Sequence, residues 1–281
     1  MQTLWSDSQL REKVVILAQR ARQILPDSPS ASDIERCYQI VVREGILPHD
    51  KDGAYIEQES KIIINKLITS EERRRFTLYH ELVHHLVRMD DDLYSYLHDA
   101  YSKTSDFDRV IELVCNLGSA ELILPREIVR NLVDQKGLSL SLLPELCESR
   151  LVSGPAALIQ LVQNAPNQCY GVVCERGNSK DIGDANQEAF VPNSISNVLY
   201  ILYAIWSPSV QYQLARYTQI PSNHMLSTSV DSQKITKGLD RIPFRSGKEW
   251  QVPCEVFVFR NKAYGLFHVT QPPNIQQPRL F

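Results

Sequence analysis

Two histidines four residues apart, with a glutamate beside the first, are the residues of this chain best suited to chemistry: His80-Glu81-Leu82-Val83-His84. On an α-helix, positions 80 and 84 stand one above the other, about 40° apart around the axis. Both imidazoles then reach a single ion at the ~2.0–2.1 Å of a Zn–N bond. Glu81 lies about 100° round from His80, too far to join the pair as a ligand. It is well placed to take a proton from the water that such an ion activates, whose pKa falls from about 15.7 toward about 7. The chemistry such a motif would serve is attack of that water on a carbonyl, as in metal-dependent peptide hydrolysis. With seven histidines in 281 residues, a random H-E-x-x-H arises in roughly one chain in a hundred of this size. Chance is disfavoured further by the frame of the motif, whose other helical face (Leu78, Leu82, Val83, Leu86, Val87) is apolar.

Two protein ligands hold zinc weakly; catalytic sites take three and leave one position to water. Downstream, the candidates are His98 and the acids of residues 106–121. Glu112 is the best of them. It interrupts an otherwise apolar run, Val110-Ile111-Glu112-Leu113-Val114, and a carboxylate there is costly to bury unless paired or bound to metal. The alternative is a surface glutamate on an amphipathic helix. His85 is out of line with the pair and reads as a polar neighbour. Asn116, one turn from Glu112, could orient it or bond the backbone. Tyr79, Tyr94, Tyr96, His98 and Tyr101 are candidates to stabilise an oxyanion, with no basis for choosing. Arg73-Arg74-Arg75 reads as a solvated helix face.

The elements that must position these groups can be read from period and punctuation. Residues 8–25 carry helical spacing and stop at Pro26, and a second helix is expected at about 32–44, with Ser32 and Glu35 in capping-box form. Ala54-Tyr55-Ile56-Glu57 and Lys61-Ile62-Ile63-Ile64-Asn65 are short β-type runs. Thr69 with Glu72 opens the motif helix, expected to run to about Met89. Residues 90–104 read as an acidic surface loop. Ser105 or Asp106 caps a further helix to about Ile123, ended by Pro125. Three short helices are expected over 126–165. Beyond Pro166 the character changes: Tyr170–Cys174, Glu255–Arg260 and Tyr264–Val269 are strand-like, the last two a hairpin through Asn261-Lys262, while 194–205 look helical and the last dozen residues a loose tail.

An ordered set of these residues resembles one family. Ile62-Ile63-Ile64-Asn65, Arg75-Phe76-Thr77-Leu78-Tyr79-His80-Glu81-x-x-His84, Glu112-x-x-Cys115-Asn116 and Leu122-Ile123-Leu124-Pro125 resemble the ImmA/IrrE (PprI-type) metallopeptidases over roughly residues 10–130. The resemblance implies His80, His84 and Glu112 as metal ligands, Glu81 as general base, and zinc as the ion, with manganese the alternative. It departs at Cys115 for the usual Ala, Gly118-Ser119 for Phe-Ala, and Val83 where Gly is common; none removes a ligand. By the same resemblance the substrate is a helix-turn-helix repressor, cut to release genes in a stress response or mobile-element setting. Residues 126–165 resemble the helix-turn-helix-like segment that follows the peptidase domain, and a GAF-like sensor is found at the C-terminus of longer members. The expectation is an α+β chain with a zincin-like peptidase domain over 1–128, a helix-turn-helix-like segment over 129–165, and an α/β domain over 166–281. A non-enzymatic regulator and a peptidase with an unrelated substrate are the rival readings.

Composition bounds the setting. Net charge is -3, which excludes a generally basic nucleic-acid surface. The segment 126–165 sets Arg126, Arg130, Lys136 and Arg150 against Glu127, Asp134, Glu145 and Glu148, so direct DNA binding is disfavoured. Residues 1–165 hold 19 Lys+Arg against 25 Asp+Glu, and 166–281 hold 11 against 8, which fits two units. No run nears the roughly 20 apolar residues of a membrane span. Six scattered cysteines without a C-x-x-C pair, and no secretory signal, lead us to expect reduced thiols in a cytoplasmic protein.

Overall fold

The computed structural model describes residues 7–49, 51–102, 107–177, 198–210, 212–229 and 234–269. They form a mixed α+β chain with two sheets, divided into two compact units. The first comprises the residues up to Arg126 together with Glu148–Ser153. The second comprises Glu127–Cys147 and everything from Gly154 onward.

The first unit opens with α1 (Ser8–Ile24), capped by Asp7, and α2 (Ala31–Tyr38), whose capping box is Ser30 with Asp33. The register of that box lies two residues before the expected one, and α2 is shorter than expected. Gln39 turns left-handed at φ 54° and ends it. Val41–Gly45, expected as helix, is instead strand β1, paired in parallel with β3 (Lys61–Asn65); β2 (Gly53–Ile56) pairs with the other side of β3 in antiparallel fashion. Tertiary pairing won over helical continuation here, since β-branched Val41 and Val42 suit an edge beside the isoleucine-rich central strand. Ile62 and Ile64 point into the core and are 0% and 5% exposed.

The motif helix α3 (Glu71–Met89) is capped by Ser70, one residue past the expected Thr69, and its first turn carries Glu71 and Glu72 at the positive end of the dipole. Residues 91–101, expected as loop, form α4 (Asp91–Tyr101). Asp90 caps it, and Leu93 and Leu97 are buried one turn apart; among so many acids and tyrosines this short apolar stripe was easily missed. Helix α5 (Phe107–Ile123) packs against both α1 and α3. Its expected caps, Ser105 and Asp106, lie outside the described residues.

Where α5 crosses α3, Gly118 meets Val83: a Cβ on Gly118 would lie 2.8 Å from Val83 Cγ1. The side chain of Val83 thus fills the room that the missing Gly118 side chain leaves.

The second unit contains α6 (Arg126–Lys136, from its second residue), the start of α7 (Leu142–Arg150), α8 (Gly154–Gln163) and a five-stranded sheet ordered β5-β4-β8-β7-β6. Its strands are β4 (Cys169–Gly177), β5 (Val198–Trp206), β6 (Thr236–Arg241), β7 (Gln251–Phe259) and β8 (Lys262–His268), with a short α9 (Met225–Thr228). All neighbours are antiparallel. The hairpin β7–β8 turns through Arg260 and Asn261, both at positive φ. The expected helix over 194–205 is a strand over its described part: Leu199 and Ile201 are buried in the sheet's core cluster, and Val198 and Ile205 are buried as well. Helix α8 covers β4, where Gly171 leaves room for Val162 and Leu158. Glu255 joins the α6–α7 loop to the sheet, accepting from Ser139 Oγ at 2.7 Å and Leu140 N at 2.8 Å while pairing with Lys237. The expected C-terminal tail lies outside the described residues.

Candidate metal centre

Helix α3 presents His80 and His84 on one face and buries Leu82, Leu86 and Tyr79 on others. Their Nε2 atoms are 3.2 Å apart. From α5, Glu112 approaches both: Oε2 is 3.2 Å from His80 Nε2, and Oε1 is 3.4 Å from His84 Nε2. Four donors at ~2.0–2.1 Å around one tetrahedral ion stand about 3.4 Å from each other. The three separations, the two to Glu112 through different carboxylate oxygens, are each close to that spacing. The expectation that Glu112 is buried is corrected: its side chain is 57% exposed. The apolar run misled because the carboxylate leans out of the helix packing into the open cleft toward the imidazoles.

The electrostatics follow from this meeting. Hydrogen bonding to His80 and His84 holds the Glu112 carboxyl far below the usual carboxylate range, against some desolvation. Burial lowers the basicity of His80, but the Glu112 hydrogen bond and the charges of Glu81 and Glu112 outweigh it, and the net shift is upward. Asn116 hydrogen-bonds to His80, so it holds a histidine in place.

Glu81 is 7% exposed, and burial raises its pKa, with His80 and His84 opposing. A raised pKa suits a group that must accept a proton near neutrality and pass it on. Its carboxylate accepts the backbone N–H of Tyr55 in β2. This strand was legible in the sequence, but its role was not. Asn65 N donates to Asp52 O at 2.8 Å, so alternation along the antiparallel ladder turns the main-chain groups of Gly53 and Tyr55 away from β3, toward α3 and the cleft.

Strand β2 is fastened to α3 along its length. Arg73 grips Asp52 with two bonds of 2.6 and 2.8 Å. Tyr55 Oη lies 3.0 Å from Nδ1 of the buried His85. At Gly53 a Cβ would stand 2.6 Å from Thr77 Cγ2 and 2.7 Å from Glu81 Oε1, so only glycine lets the strand and Glu81 approach this closely. The arginine run is correspondingly more than a solvated face: Arg74 pairs with Glu44, and Arg75 donates to Arg150 O at 2.7 Å.

A cleft of about 610 Å³ opens over the site, lined among others by Gly53, Tyr55, His80, Glu81, His84 and Glu112. Of the five oxyanion candidates, only Tyr94 borders it, its hydroxyl held by Arg88. Tyr96 and Tyr101 are bound to Asp7, Tyr79 is buried beneath Arg75, and the His98 ring packs between Tyr94 and Phe107. His98 is thus not among the groups that meet at His80 and His84. The residue that sequence reasoning passed over is Cys115, whose thiol lies within 4.8 Å of donor atoms of both His80 and His84.

A paired-histidine helix, met by one carboxylate from a second helix and with another beside it, is an arrangement that could hold a metal ion. Residues 36–148 match the IrrE N-terminal-like domain family, peptidase family M78. The radiation response metalloprotease IrrE of Deinococcus deserti is 31% identical over 228 residues, which cover 81% of this chain and 77% of that protein. The protein of the same description from Deinococcus radiodurans is 30% identical over 210 residues, covering 75% and 63%. This chain belongs to the IrrE metalloprotease family. A solved structure of a Mycobacterium tuberculosis transcriptional regulator shares the fold with TM-score 0.59 over 93% of this chain and 76% of that one, at 11% identity. No helix among the described residues is long and apolar enough to cross a membrane.

Proposed function

We propose that this protein is a zinc endopeptidase with a zincin-like catalytic unit, in which His80, His84 and Glu112 hold the metal and Glu81 is the general base. The observation that carries the reading is the convergence of the His80 and His84 Nε2 atoms with the two carboxylate oxygens of Glu112, at separations of 3.2–3.4 Å, across two helices beside a buried glutamate. Bound zinc supplies a water of lowered pKa and polarises the scissile carbonyl. Glu81, steadied by the Tyr55 amide, takes the proton and delivers it to the leaving amine. The outward edge of β2, apart from the Tyr55 N–H that Glu81 takes, offers main-chain partners to an extended peptide laid along the cleft, and Tyr94, which borders the cleft, is the candidate donor to a developing oxyanion.

The substrate we infer is a helix-turn-helix repressor, met in the cytoplasm and cut to release genes under stress. Support comes from the resemblance of the motif set and from relatives described as radiation response metalloproteases. The C-terminal antiparallel sheet with its flanking helices is consistent with a GAF-like sensor that regulates this cleavage, by fold analogy only. The fold shared with a transcriptional regulator favours a second reading, a non-enzymatic regulator. One experiment separates them. Purified protein should carry about one zinc per chain, and His80→Ala or Glu112→Ala should empty the site while His98→Ala should not. Glu81→Gln should keep zinc and lose cleavage of the helix-turn-helix protein encoded beside its gene; full cleavage by Glu81→Gln would overturn the mechanism.

A further inference from the structure

Cys115 stands on α5 one turn after Glu112, and the helix therefore turns both side chains to neighbouring directions, about 60° apart. Glu112 reaches the imidazoles from the open side, with its side chain 57% exposed, and Cys115 reaches toward them from the core, fully buried. Its Sγ and one ring nitrogen each of His80 and His84 all lie within 4.8 Å of one another. Adjacent N and S donors on a tetrahedral ion with Zn–N of ~2.0–2.1 Å and Zn–S of ~2.3 Å stand about 3.6 Å apart, so a displacement on the order of 1 Å or less brings the thiol into the donor set. The thiol thus joins the same two histidines that Glu112 meets at 3.2–3.4 Å.

Resting on the metal-site reading above, we propose that Cys115 is a fourth protein donor, closing the coordination of the substrate-free enzyme as His80, His84, Glu112 and Cys115. On coordination the thiol gives its proton to solvent and the sulfur shares an electron pair with the ion. A soft sulfur donor biases the site toward zinc or cobalt and away from manganese. With four protein donors the substrate-free peptidase rests in a closed state, and a water that enters for hydrolysis would displace the sulfur, which takes back a proton from solvent.

The test is cobalt substitution of the full-length protein. Thiolate coordination gives an intense near-ultraviolet sulfur-to-cobalt charge-transfer band, separate from the visible d–d bands that any tetrahedral cobalt site shows. The wild type should show both. Cys115→Ala and Cys115→Ser should bind one cobalt with the visible bands alone, and hold zinc at least about tenfold more weakly against a chelator. Visible bands without the charge-transfer band in the wild type would overturn the role of Cys115 and leave the metal site standing. Failure of the wild type to bind cobalt or zinc at all would overturn that site as well. Unchanged circular dichroism of Cys115→Ser shows that a lost band reflects the missing sulfur; a charge-transfer band surviving in both variants would assign it to another thiol and overturn the inference.

Discussion

The side chain of Val83 occupies the space that a β-carbon on Gly118 would need. This contact sets how closely α5 approaches α3, and with it the reach of Glu112 toward the two imidazoles.

Gly118→Ala should therefore destabilise the fold by about 1–2 kcal/mol, overpacking at 2.8 Å outweighing the gain of roughly 1 kcal/mol in helix propensity. Adding Val83→Ala should remove most of the penalty from the second site. Thermal unfolding of the two single variants and the double variant gives the coupling, and simple additivity would show that the helices adjust independently.

Gly53→Ala should leave zinc content unchanged and lower kcat by about 10²-fold, because it pushes on the base and on the strand that holds it. Combined with Glu81→Gln, it should cause little further loss, since both remove the same function. A loss of zinc in Gly53→Ala alone would mean that β2 supports the metal and not the base.

Glu255 is 6% exposed, and its pKa is lowered in the folded state: desolvation opposes this, but Lys237, Ser139 and the Leu140 amide outweigh it. A depressed carboxylate contributes stability above its ordinary pKa of 4.5 that is lost as pH falls through the folded value. Glu255→Ala, which strands the Leu140 amide, should cost about 1–3 kcal/mol at neutral pH. The gap between variant and wild type should narrow below pH 4.5; a gap independent of pH would contradict the ionic role.

A fragment ending at residue 165 should still bind zinc, since both helices that carry the donors lie in the first unit. It should also be prone to association: Leu158 and Val162 of α8 lose the β4 surface beneath them. Zinc analysis and sedimentation of the fragment check both, and a metal-free fragment would place part of the site's support beyond residue 165.

Much of the centre was legible because its signals are local. His80, Glu81 and His84 share one helix, so spacing alone relates them, and the capping residues at Ser70 or its neighbour fix where that helix begins. Glu112 stands out in the sequence for interrupting an apolar run, which suggests burial, whereas its side chain is 57% exposed. What escaped depends on partners distant in sequence. Strand β1 exists because Val41 and Val42 meet β3, and no property of residues 41–45 alone overrides their helical continuity. Gly53 looks like an ordinary turn residue until Thr77 and Glu81 are set beside it. Leu93 and Leu97 make a stripe too short for periodicity to resolve, and the aromatic, β-branched run at 198–206 fits strand or buried helix equally.

The assignment of Glu148–Ser153 to the first unit, after Glu127–Cys147 has joined the second, has a genealogical consequence. The chain passes between the units three times, so a single crossover between genes cannot exchange one unit whole for another. A graft made at any one of these passages leaves a strip of the old partner behind, and the carbonyl of Arg150 that receives Arg75 would arrive or depart with the wrong half. Peptidase and C-terminal unit are therefore expected to have been inherited together, and designers who wish to swap the latter must cut in more than one place.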